Sequence, residues 1–168
     1  VGVDEILQRT GISRCSFYYY FKTKEGFGAE LIDRYRLSIT QKLERCLSDT
    51  SLSPLGSLRT FVGEVRDEMA RTDCRSGCLV GKLAQEVNTL PENFREQLSA
   101  VFAEWQAVFA RGLKRAQETG EISPELDCAS TAAFFWYGWE GALQRANLEL
   151  NIKPVDIFIG NFFSRLTG

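Results

Sequence analysis

A chain of 168 residues, 44% hydrophobic and 25% charged, carries enough apolar material for a packed core, and no run reaches the roughly 18 to 20 apolar residues of a membrane span. It has no histidine, and so lacks the commonest general base and the commonest zinc ligand; histidine-based hydrolase triads and His-containing zinc sites are excluded, and no cofactor is expected. Its five cysteines (Cys15, Cys46, Cys74, Cys78 and Cys128) are odd in number and scattered, and its formal net charge is -2, a pattern expected of a cytoplasmic protein with reduced thiols.

The periodicity is helical throughout, and the fold class expected is all-α. A short helix opens at Val3 or Asp4, runs through "DEILQRT" with Ile6 and Leu7 inward, and stops at Gly11. Ser13 caps a second short helix, with Ile12 and Phe17 at the spacing of a hydrophobic staple. Thr23 caps a long helix through about Leu47, whose stripe is Phe27, Leu31, Tyr35, Ile39 and Leu43. Ser53 and Pro54 start the next helix, which carries Leu55, Leu58, Val62, Val65 and Met69 and ends near Arg71. A shorter helix is expected from Cys78 to Val87, a long one from Pro91 to Thr119 ahead of Gly120, and another from the cap Asp127 to Leu150. The last starts at Pro154 and carries Ile157, Phe158, Phe162 and Leu166. "GCLVGK", Gly77 to Lys82, lacks the glycine spacing and the Ser or Thr of a phosphate loop.

The N-terminal end is locally positive, since between Val1 and Lys24 Arg9, Arg14, Lys22 and Lys24 face only Asp4 and Glu5. Two short helices joined at Gly11, the second exposing polar and aromatic groups, have the layout of a helix-turn-helix DNA reader. Phe17 and Phe21 would anchor the second helix while Arg14, Tyr18, Tyr19 and Lys22 project outward. Its positive N-terminus faces the duplex, and tyrosines can bond phosphates or pack on sugars and thymine methyls. The alternative is a set of ordinary core aromatics beside a solvated charge pair.

"VDEILQRTGISRCSFYYYFKTKEGFGAELI" resembles the DNA-binding region of TetR-family repressors, whose pattern is a short helix, a Gly turn and "S-K-G-[ST]-F-Y-H-Y-F-x-[ST]-K-E". The resemblance implies that Arg14, Cys15, Ser16, Tyr18, Tyr19 and Tyr20 line the recognition helix and that Lys22 and Lys24 hold the DNA backbone. Cys15 replaces the usual Gly and Tyr19 the usual His, so the family's operator preferences do not transfer. A further helix precedes the reader in this family, and residues before Val1 are therefore expected. The C-terminal stretches "SGCLVGKLAQEV", "LPENFREQL" and "AFFWYGWEGALQRANLEL" are similar to the branch that contains acrylate-responsive repressors and repressors sensing N-ethylmaleimide and bleach. What this implies is a non-enzymatic, homodimeric bacterial regulator of double-stranded operator DNA. Residues 1–46 would be the reader with its connecting helix and 47–168 the ligand-binding and dimerisation domain, paired through the last two helices.

For the effector, Trp105, Phe134, Trp136, Tyr137 and Trp139 supply apolar walls that equally suit core or interface, and Glu140, Gln144 and Arg145 could orient a ligand. Arg145 is expected to meet an acidic one, because a buried unpaired guanidinium is costly. Cys78 follows Gly77 at an expected helix start, near Arg75 and Lys82, where a thiolate is favoured; it is either the sensor of an electrophile or a small packed residue. Cys74 is a candidate resolving thiol. The resemblance places Asn147 where the bleach sensor has the lysine that partners its cysteine. Two effector classes follow: an acrylate-like or acyl-CoA-like ligand held noncovalently, or an electrophile or oxidant acting on Cys78. An enzyme with Glu140 as base is disfavoured because no second titrating residue sits at helical spacing, and a DNA-independent helical scaffold is the remaining rival.

Overall fold

The computed structural model describes residues 7, 8, 10, 11, 13–21 and 23–167, with the side chains of all of these except Phe17, Tyr20 and Phe21. Every regular element among the described residues is helical, as expected. Leu7, Gln8 and Thr10 are helical, and the Gly11 N–H donates to the Leu7 carbonyl at 2.9 Å with Gly11 at φ +69°, a left-handed cap that glycine adopts without a Cβ clash. The expected start at Val3 or Asp4 and the Ile12–Phe17 staple lie outside the described residues.

Seven helices follow: α1 (Arg14–Phe21), α2 (Lys24–Ser48), α3 (Pro54–Arg71), α4 (Leu79–Gln85), α5 (Glu92–Glu118), α6 (Cys128–Glu149) and α7 (Lys153–Thr167), with a 3-10 turn Val87–Thr89 after α4. The expected caps form. Thr23 accepts from Gly26 N–H at 3.0 Å, Ser53 from Gly56 N–H at 3.1 Å and Asp127 from Ser130 N–H at 3.0 Å. Glu121, held below the usual carboxylate range by hydrogen bonds from Ser53, Thr119 and the Leu55 N–H that outweigh its partial desolvation, ties the start of α3 to the end of α5.

Helix α5 is the central element, packed on α2, α3 and α6, and α7 closes the far side of α6. Phe109 stacks on Phe135 at 4.1 Å and Trp105 on Trp136 at 5.2 Å, and Phe162 and Phe163 of α7 join this aromatic core. Arg66 of α3 makes two bonds, 2.8 and 3.0 Å, to the Asp156 carboxylate of α7. Two stripe residues fall elsewhere than expected. Leu31 and Ile157 are largely exposed, while Ile32 and Val155 are fully buried. A strict four-residue spacing advances 40° per step on a 100° helix, so such a stripe winds off the core face that alternating steps of three and four keep.

Candidate functional site: an exposed reader helix and an interior cavity

In the reader, Ser13 caps α1 by accepting from Ser16 N–H at 3.1 Å, and the two hydroxyls are 2.8 Å apart. Arg14, Cys15 and Ser16 are exposed in its first turn, and Tyr18 and Tyr19 are 41% and 79% exposed, too open for a core role. Arg14 and Tyr18, four apart, share one face. Lys24 opens α2 and is exposed. Lys22 and the side chain of Tyr20 lie outside what is described. One exposed helix end thus gathers a cation, hydroxyls and aromatic faces, the groups that contact phosphate, sugar and thymine methyl.

The second feature is a cavity of about 200 Å³ between α2, α3, α5 and α6 and the loop before α4. It brings together five expected residues, Cys78, Trp105, Trp136, Trp139 and Glu140, and adds Tyr35, Lys42 and Phe61, which sequence reasoning had assigned to no site. Lys42 Nζ is engaged by Glu68 at 2.6 Å, also on the cavity wall. The three tryptophans are 0–2% exposed, and Trp105 meets Tyr35 edge-on at 6.3 Å. Trp105 Nε1, Trp136 Nε1 and Glu140 Oε1 are buried with no hydrogen-bond partner among the described residues. Buried polar atoms are nearly always paired, so three orphans on one cavity are unusual.

Cys78 differs from its expectation. It is the N-cap of α4, and Gly81 N–H donates to Sγ at 3.3 Å, as a helix start should provide. Yet Cys78 is buried, and desolvation together with the neighbouring Glu140 carboxylate pushes its thiol well above the usual range. Arg75 and Lys82 are exposed, and neither offsets that burial. The resting group is the protonated thiol, because desolvation outweighs one N–H donor. Burial raises Glu140 in turn, to about 7, and a hydrogen bond with Cys78 only partly opposes it. Burial chiefly also pushes the Tyr35 hydroxyl upward. Gly81 leaves room for Glu140 beside α4, since a Cβ there would collide with Glu140 Oε2 and that side chain would have to shift.

Arg145 is a correction. It is exposed, its Nε donates to Glu149 at 2.6 Å one helical turn on, and it does not line the cavity. An arginine five residues after Glu140 is rotated about 140° around the helix from it. Phe134 and Tyr137 are 62% and 72% exposed and likewise are not cavity walls; Tyr137 borders an outer groove beside Trp136 and Glu140. Gln144 bonds Gln85 at 2.8 Å and lines a smaller groove on the other side of Cys78 and Glu140. Asn147 Nδ2 donates to the carbonyls of Cys74 (2.8 Å) and Ser76 (3.2 Å), clamping the loop that leads to Cys78. Tyr35 holds the same loop through Gly77 O at 3.5 Å. Tyr35 had one available signal, a polar hydroxyl within an apolar helix stripe.

Residues 54–162 match the family model of the tetracyclin repressor-like C-terminal domain. The chain is 43% identical over 162 residues, 96% of its length and 74% of the relative's, to the transcriptional regulator AcuR of Cereibacter sphaeroides. The crystal structure of regulatory protein TetR from Rhodobacter sphaeroides superposes with a TM-score of 0.93 at 43% identity, covering 96% of this chain and 86% of that one. The reduced form of Escherichia coli NemR superposes with a TM-score of 0.84 at 22% identity, over 99% and 86%, a likeness of fold alone.

Proposed function

Because the chain belongs to the tetracycline repressor family of transcriptional regulators, we propose that it is a cytoplasmic repressor, without enzymatic activity, that binds operator DNA as a homodimer. It leaves the DNA when an acrylate-like acid, or the acyl end of an acyl-CoA, enters the cavity between Trp105 and Cys78. Residues 1–46 act as the reader with its connecting helix, and 47–168 as the regulatory domain.

The observation that carries this reading is the double duty of α2. The helix begins three residues after the reader helix ends, and its Tyr35, Ser38, Ile39 and Lys42 form one wall of the cavity. A ligand that alters that wall alters the helix on which the reader is mounted. Displacing α2 by even a small rotation changes the separation of two recognition helices in a dimer, and a preference of about 1–3 kcal/mol for the displaced form is enough for regulation. The apolar walls and the few convergent polar groups suit a small acyl compound. The volume suits the acyl end of a thioester and not its nucleotide.

The dimer is assigned to α6 and α7. Phe134, Tyr137 and Ile157 are large, apolar and exposed there, and Phe134, Ile157, Phe158 and Phe162 line one outer groove. Such a face fits a second copy of itself, and a two-fold dimer predicts two half-sites in the DNA.

A second reading, covalent sensing at Cys78, is favoured by the position of that thiol on the cavity wall and disfavoured by its burial. One experiment separates the two: anisotropy of labelled DNA from upstream of the gene, titrated with the wild type and with Cys78→Ser, then challenged with acrylate, acryloyl-CoA or N-ethylmaleimide. The expected result is tight, steeply salt-dependent binding released by acrylate in both proteins. Release that disappears in Cys78→Ser would replace noncovalent binding with alkylation. Binding indifferent to DNA sequence would overturn the repressor.

A further inference from the structure

The three orphaned polar atoms of the cavity are not alike: two are indole N–H donors and the third is a carboxyl oxygen. Trp105 of α5 and Trp136 of α6 stack with ring centroids 5.2 Å apart, and Glu140 follows Trp136 by one turn on the same face of α6, so the three side chains line one stretch of the cavity. A ligand that satisfies all three accepts hydrogen bonds from the indoles and shares a proton-bearing bond with Glu140.

We propose, building on the reading of this cavity as the effector site and narrowing its ligand from acyl compounds in general to those other than thioesters, that it takes a small acyl compound bearing an acceptor and a donor on the same carbon. Such a compound is a carboxylic acid sharing one proton with Glu140, or a primary amide, its carbonyl oxygen accepting from the indoles of Trp105 and Trp136. A carboxylate cannot enter as an anion opposite an ionised Glu140, because two adjacent carboxylates in a desolvated site cannot both be charged. Of the ionisable groups around Glu140, α2 contributes Tyr35 and Lys42, α3 contributes Glu68, and Cys78 and Lys82 come from the start of α4. Lys42 is committed to Glu68, no cation pairs with Glu140 among the described residues, and Tyr35 and Cys78 are neutral when protonated. The proton therefore comes from solvent with the ligand, and acid binding consumes one proton wherever both partners start ionised.

The sign follows. The Glu140 carboxyl is raised to about 7, whereas a free aliphatic acid titrates near about 4–5. Between those values Glu140 already holds the shared proton, and affinity for the acid is flat; above about 7 it falls about tenfold per pH unit. The N–H of a primary amide donates to a carboxylate oxygen of ionised Glu140 and to the carbonyl oxygen of the neutral carboxyl, so its affinity is nearly constant.

The test uses the non-electrophilic probes propionate, propionamide and butanone, which share size and cannot alkylate Cys78, with binding read from tryptophan fluorescence from about pH 5.5 to about 8.5. Propionate is expected to follow the flat-then-falling profile, propionamide to change less than about threefold, and butanone, which lacks the donor, to bind at least about tenfold more weakly than propionamide. In Glu140→Gln, whose amide donates to a carboxylate at any pH, the fall for propionate should vanish. A pH-independent wild-type affinity for propionate above about 7, butanone binding as well as propionamide, or no binding of acid and amide would each overturn the proposal. Parallel DNA anisotropy keeps the two readings apart: the expected profile without DNA release sinks the effector reading alone, and release with a flat profile sinks only the shared proton.

Discussion

At the scale of single residues, the position of Glu140 sets both stability and chemistry. Its carboxyl is raised from 4.5 to about 7 by burial, so the folded state holds a proton that the unfolded chain loses first. A raised carboxyl pKa contributes stability below about pH 4.5 that is progressively lost up to about 7 and stays lost above it. Glu140→Gln removes that dependence. The variant is expected to match the wild type near pH 4.5–5 and to exceed it by about 1–3 kcal/mol at pH 8, measured by urea unfolding at both values. Equal stability at both would mean that Glu140 is better solvated than its surroundings indicate. Glu140 was legible in the sequence as a polar residue in an aromatic helix. That it meets Cys78 was not, because the two are 62 positions apart and only the docking of α4 beside Gly81 joins them. Helix-start geometry was read correctly at Cys78, but the thiolate expected from it is opposed by burial. A cap supplies one N–H, and burial, which local sequence does not report, outweighs it.

At the scale of elements, α5 earns its central place through Gly112. A Cβ there would stand 2.7 Å from Leu58 Cδ2 and 2.9 Å from Leu47 Cδ2, so α2 and α3 both approach its backbone. Gly112→Ala is expected to destabilise the fold by about 1–3 kcal/mol through overpacking. Gly63, on α3, has nothing within 4 Å of its would-be Cβ, and Gly63→Ala is expected to stabilise by about 0.5–1 kcal/mol. Thermal or chemical unfolding of the pair checks the opposite signs; a shared sign would show that helix propensity or packing alone governs both. Sequence patterns located the starts of α2, α3, α5 and α6 because Thr23, Ser53, Pro91 and Asp127 act locally. They placed the start of α7 at Pro154, one residue late, and they misassigned Leu31 and Ile157, where the face toward the core depends on which neighbour the helix meets.

At the scale of the whole molecule, the exposed Phe134 and Ile157 of α6 and α7 are the proposed partner surface. Phe134→Lys with Ile157→Asp is expected to leave a folded monomer by circular dichroism and sedimentation, and to weaken operator binding at least about tenfold because two linked readers become one. A variant that stays dimeric would place the interface elsewhere. The sequence by itself determined the all-α class, the caps, the exposed reader helix and the family resemblance, since each rests on residues a few positions apart along the chain. Only the tertiary structure decided that Arg145 faces solvent, that Phe134 and Tyr137 lie outside the cavity, and that Tyr35, Lys42 and Phe61 wall it with Cys78 and Glu140. The physical reason is that burial, and with it the protonation of a thiol or a carboxyl, is a property of helices packed against one another.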